Sequence, residues 1–220
     1  MQGDIPALLL AVAAVLEMAG GAAGVLLFRW LCRASRLTGE RSLCVTGAAF
    51  ITYSAGLVLE ALGNIYAYGA STAVPPWSRR PESVALLALN HGTLLAAPLY
   101  IVAYTLSLVA LCHTHVPLDT SGRGRLYAAV PLVLQMYIEY NLVALAVLVA
   151  GALLAARRYG GVRGAGILFY ALAAASHTAA AMVPLEPLLA PASMILRAAA
   201  LLGFAALTLP HRGGRGGEGR

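Results

Sequence analysis

Four ionisable residues stand where a bilayer would penalise them. Glu17, Glu60, Glu139 and Arg197 each lie inside a long apolar stretch, and a charge at bilayer depth costs several kcal/mol unless it is paired or wet. Counting about 1.5 Å of rise per residue from the helix ends places Glu17 and Glu139 near the midplane of the first and fourth stretches. Arg197 falls at similar depth in the sixth stretch, and Glu60 somewhat nearer the outer surface. Gln135, Tyr137, Tyr140 and Asn141 form a polar belt around Glu139, of the kind that hydrogen-bonds across helices. A substrate or proton site of Glu17, Glu139, Arg197, Glu60 and Asn141 is the chemistry this set offers. The plainer reading is a salt bridge from Arg197 to one Glu, with the other carboxyl kept protonated as interhelical glue.

His91 and His177 are the histidines within the apolar spans. Two imidazoles facing each other at equal depth could hold one b-type haem between helices; a His bonded to a neighbouring helix is the commoner arrangement. Ser176 beside His177 is no catalytic dyad, because helical neighbours do not face each other. Cys112, His113, His115 and Asp119 gather at the end of the third stretch, with ligand types that suit Zn or Cu. Their spacing matches no standard zinc pattern, so they read as a weak metal candidate. No Gly-x-Ser-x-Gly or His-Glu-x-x-His motif occurs, and no catalytic residue is assigned. All fifteen basic residues are Arg; without Lys there can be no Schiff-base chemistry and no phosphate-loop lysine.

The elements that position these residues follow from hydropathy. With 60% hydrophobic and 11% charged residues and a mean hydropathy of +0.79, the 220-residue chain is too apolar for one soluble domain. Six stretches are long enough to cross hydrocarbon, which takes about 20 helical residues: 5–31, 43–68, 83–112, 126–156, 166–183 and 188–209. In lipid each must satisfy its own backbone, so each is expected to be helix. The first is too long for a signal-peptide core and is expected to be retained. Asn90, Gly92 and Pro98 predict a break in the third. Residues 69–82, with Trp77 and three prolines, read as an interfacial loop, and the Gly/Arg-rich residues 210–220 as a disordered tail. The three cysteines suggest no pairing pattern and are read as free thiols.

Shifting the chain by 122 residues lays Glu17 on Glu139, Arg36 on Arg158, Gly39 on Gly161, Arg41 on Arg163 and Ser54 on Ser176, with 12 identities in 47 positions. This suggests a duplication of helix, Arg-rich turn and helix. Residues 1–68 and 126–183 would be the two repeat cores, 83–125 and 184–209 the third and sixth helices with their connections. With the N-terminus outside, as expected here, Arg29, Arg33, Arg36, Arg41, Arg123 and Arg125 face inward against eight Arg outside, so the positive-inside rule does not fix the orientation.

The expected fold class is all-α, a polytopic membrane helix bundle of about six transmembrane helices in two related halves, in a cell membrane. The function this favours is a small inverted-repeat carrier or proton-coupled permease. Two alternatives stand beside it: a non-catalytic accessory or sensory membrane subunit, and a haem b electron-transfer subunit. The net charge of +6 suits anionic lipid headgroups rather than nucleic acid. Gly20 and Gly24 offer a close-packing face, either internal or for a homodimer or other membrane partner.

Overall fold

A computed structural model describes residues 7–73, 81–113, 140–156, 162–183, 185–186 and 188–209. These form α1 (Ala7–Thr38), α2 (Arg41–Ala73), α3 (Pro81–His113), α4 (Tyr140–Ala156), α5 (Val162–Met182) and α6 (Leu189–Thr208), with no strand among the described residues. The protein is an all-α bundle. Four helices carry apolar spans of membrane-crossing length, Leu8–Thr38, Arg41–Gly69, Gly164–Met182 and Leu189–Thr208, and shorter apolar runs occupy Leu95–Leu111 and Asn141–Ala156.

Several helix boundaries differ from the hydropathy expectation. α1 does not stop at residue 31 but continues as helix through Arg33 and Arg36 to Thr38. Hydropathy marks where the apolar run ends, whereas Arg is a good helix former and its charge complements a helix C-terminus. The Arg-rich turn is therefore mostly the last turns of a helix. The actual turn is Gly39 and Glu40. Gly39 takes φ +74, and its N–H donates to Ser35 O at 2.8 Å, the left-handed cap that Gly makes without a Cβ clash. α2 and α3 likewise extend into the expected 69–82 loop, as far as Ala73 and back to Pro81. α3 runs unbroken through Asn90 and Pro98. Pro98 removes one backbone donor, which a membrane helix tolerates when its neighbours restore the bonding. Gly92 is a contact rather than a hinge: a Cβ there would lie 3.3 Å from Gly63 Cα on α2. The expected fourth helix is described from Tyr140 onward; its first part, with Trp77, the 114–125 loop and the 210–220 tail, lies outside the described residues.

The packing is inverted relative to a water-soluble bundle. Leu8, Val15, Leu62, Leu95, Leu153 and Leu207 are more than half exposed, while Glu17, Glu60, Asn64, Ser107, His177 and Arg197 are buried. Apolar outside and polar within is the arrangement in which lipid is the solvent. α1 and α2, at 32 and 33 residues, measure about 50 Å against about 30 Å of hydrocarbon, so they tilt or stand out of it.

Each helix packs on its neighbours in sequence, and α1 closes the ring by packing on α6. The Gly20 and Gly24 face is used inside this ring. Added Cβ atoms would meet Leu57 Cδ1 at 2.9 Å from Gly20, and Phe50 O and Leu201 Cδ2 at 3.0 Å from Gly24. The close approach thus joins α1 to α2 and α6. The ring order also bears on the duplication. The 122-residue register sends α1 onto α4 and α2 onto α5, and it aligns the start of α2 at Arg41 with that of α5 at Val162 to within a residue. A two-fold axis lying in the membrane acts on the projected ring as a mirror and would reverse its order. Sending α1, α2, α3 onto α4, α5, α6 preserves the order instead, so a sequential ring is not the arrangement an inverted repeat makes.

Candidate functional site

α1, α2 and α6 meet around a buried ionic cluster. Glu17 lies nine residues from the start of its span at Leu8, Glu60 nine from the end of its span at Gly69, and Arg197 eight from Leu189. At about 1.5 Å per residue all three sit roughly 12–14 Å from those ends. Glu60 is therefore level with the other two, not nearer a surface, and it is the residue that meets Arg197.

The guanidinium is held from several sides. Arg197 Nη1 donates to Glu60 Oε1 in an ion pair whose two side chains are each 1% exposed. Nη2 donates to Ser193 Oγ at 3.4 Å, and the Ser193 hydroxyl, one turn earlier on the same helix, donates to Ala190 O at 2.7 Å. Glu60 Oε2 accepts from Tyr100 OH at 2.5 Å, and the Tyr100 ring lies 5.2 Å from Arg197 Cζ, within cation–π range. Tyr53 OH donates to the Arg197 carbonyl at 3.1 Å. Both oxygens of Glu60 are engaged, which is what a buried ion pair requires if it is to offset its desolvation.

Glu17 is held differently. Asn64, one turn beyond Glu60 on α2, donates from Nδ2 to Glu17 Oε2 at 2.7 Å. Glu17 Oε1 and Asn64 Oδ1 accept no hydrogen bond, although both residues are 0% exposed. Glu17 is also close enough to Glu60 and Arg197 to interact with both. Two buried carboxyls thus share one guanidinium.

A second polar group lies across the bundle. His177 Nδ1 meets Asn141 Oδ1 at 3.1 Å, and its Nε2 meets Tyr104 OH at 3.0 Å. An amide oxygen only accepts, so with Asn141 oriented this way Nδ1 carries the proton and Nε2 accepts from the tyrosine. Tyr170 OH donates to Ser107 Oγ at 2.8 Å, and Ser107 donates to Tyr104 O at 2.7 Å. The two groups are joined by aromatic packing, with ring centroids 4.9 Å apart for Tyr53 and Tyr100, 5.7 Å for Tyr53 and Tyr104, and 5.6 Å for Tyr104 and His177.

The structure brings Glu17, Glu60 and Arg197 together. It places Asn141 with His177 rather than among them. Glu139 and His115 lie outside the described residues, and the side chains of His91, Cys112 and His113 are outside those described. His177 as placed does not fit axial haem ligation, because both ring nitrogens already have hydrogen-bond partners. Ser176 Oγ donates to Ala173 O at 2.7 Å, an ordinary intrahelical bond. Among the described residues no three His, Cys, Asp or Glu side chains gather as metal ligands.

Asn64, Tyr100, Tyr104, Tyr53 and Ser193 were missed. The signal was one helical turn: Asn64 follows Glu60 by four, Ser193 precedes Arg197 by four, and Tyr100 and Tyr104 share one face of α3. The bundle and its buried charges define the class of protein, an integral membrane helix bundle with a polar centre. No family model, curated protein or solved structure matches the chain.

Proposed function

We propose that the protein is a small proton-coupled membrane carrier in which Glu17 takes up and releases the proton. One observation carries this reading: among the described residues two fully buried carboxyls adjoin one guanidinium, and of the two it is Glu60 that is ion-paired to it. One positive charge can compensate one carboxylate. The second carboxyl must hold a proton or leave an uncompensated charge at bilayer depth, which is costly. Glu17 is that carboxyl, and its Oε1 has no donor. Loss of its proton would place a second negative charge beside the Glu60–Arg197 pair and favour rearrangement of α1 against α2 and α6, where all the participants sit. Coupling a proton to a movement of helices is what a carrier requires.

The reading rests on the charge cluster and not on an inversion axis. It is tested in vesicles reconstituted with the full chain and loaded with a pH-sensitive dye, across a panel of small solutes, with an inward proton gradient. Solute entry accompanied by internal acidification is expected for the wild type. Glu17→Gln is expected to retain solute exchange but lose acceleration by the gradient. Gradient-driven uptake unchanged in Glu17→Gln would remove the proton role. If no solute moves with protons while a stoichiometric partner co-purifies, the accessory-subunit reading replaces it.

A further inference from the structure

We propose that Cys32 and Cys44 are a redox-active dithiol that closes into an intramolecular disulfide across the α1–α2 turn by exchange with a low-molecular-weight disulfide. Their sulfur atoms lie 3.2 Å apart on two different helices, twelve residues apart in sequence. Cys44 is exposed and Cys32 half-buried, and both are free thiols. A disulfide bond measures about 2.05 Å, so closure needs the sulfurs to approach by roughly 1.1 Å, within the reach of side-chain rotation.

The surrounding structure holds the pair in place. One turn beyond Cys44, a Cβ on Gly47 would meet Phe28 Cδ2 at 3.2 Å and Leu31 Cβ at 3.5 Å, so α1 and α2 are packed almost backbone to backbone there. On the other side the turn is fixed by the Gly39 cap on Ser35 O, by Glu40 N donating to Thr38 Oγ1 at 3.3 Å, and by Ser42 Oγ donating to Glu40 Oε1 at 2.7 Å. Two thiols fixed against each other on a short hairpin meet at high effective concentration. A two-thiol metal site is the competing use, but sulfurs on one tetrahedral zinc stand about 3.8 Å apart, and no third ligand joins them among the described residues.

The step balances as thiol–disulfide exchange. The thiolate of exposed Cys44 attacks one sulfur of oxidised glutathione and expels a glutathione thiolate, giving a mixed disulfide. Cys32, already in contact, displaces the second glutathione. The protein gives up two protons and two electrons, and one glutathione disulfide takes them up to become two thiols. The product staples the ends of the two helices that carry Glu17 and Glu60, and the inference is independent of what those residues do.

The test uses purified full-length protein, reduced, freed of reductant and then incubated with oxidised glutathione. After acid quenching it is denatured and labelled with a polyethylene-glycol maleimide. Of the three cysteines, all take label before oxidation, and two of the three labels are lost after it. Peptide mapping recovers Cys32 linked to Cys44, and Cys112→Ser leaves the oxidised protein unlabelled. Three labels surviving oxidation, a bridge to Cys112, or a reducible dimer in place of the internal bridge would each overturn the proposal. So would protection from label that a chelator reverses, which would identify a metal site.

Discussion

At the scale of single residues the cluster is held by one cation serving two acids. Glu60 has both oxygens bonded, to Arg197 and Tyr100, so removing Arg197 strands a buried carboxylate. Breaking such a pair costs about 3–5 kcal/mol, whereas replacing both partners by apolar groups of similar size is often neutral or better. Arg197→Leu is therefore expected to lower stability by about that amount, and Glu60→Leu combined with Arg197→Leu to recover most of the loss. Denaturant unfolding in detergent reads both. Equal losses in the single and double variants would mean that the two side chains do not depend on each other. Part of this was legible in the sequence, because a charge in an apolar run is conspicuous wherever it folds. Which acid pairs with which base was not. Glu17, Glu60 and Glu139 were all at plausible depth, and only packing separates an ion-paired acid from one held by an amide.

At the scale of elements the helices approach through small residues. Gly24 faces α2 and α6, and a side chain there would press on Phe50 O and Leu201. Gly24→Ala is expected to cost about 1–3 kcal/mol through overpacking. Gly164, near the start of α5, has nothing within 4 Å of an added Cβ, so Gly164→Ala is expected to gain roughly 0.5 kcal/mol from helix propensity alone. Thermal unfolding of the two variants side by side checks this, and shifts of the same sign would contradict the packing described. Six helical stretches were readable from hydropathy; their ends were not. Arg33 and Arg36 are polar yet helical, and Pro98 is a helix breaker in water that is carried within α3. The ends depend on helix propensity and on neighbours, which a hydropathy profile does not register.

At the scale of the whole molecule, a ring of helices with apolar flanks encloses charges at common depth. The sequence duplication is compatible with a shared hairpin unit, α1–α2 and α4–α5, but cyclic order is a property of three-dimensional contacts that no pairwise residue match contains. α1 and α6 run in the same direction, with Gly20 and Gly24 of α1 meeting Ala198 and Leu201 of α6, so the start of α1 and the end of α6 lie on opposite faces and reporters fused at residues 1 and 220 are expected to register opposite compartments. The same compartment for both would require α1 and α6 to be antiparallel and would undo the packing around Glu17, Glu60 and Arg197.

The central claim is that Glu17 is the neutral acid beside the Glu60–Arg197 pair, and infrared spectroscopy of the protein in lipid addresses it directly. At neutral pH the wild type is expected to show the carbonyl stretch of a buried, protonated carboxyl, and Glu17→Gln is expected to abolish it. Glu60→Gln should abolish it too, because Arg197 would then take Glu17 as its carboxylate partner. A wild-type spectrum without that band, or a band that persists in Glu17→Gln, would contradict the account.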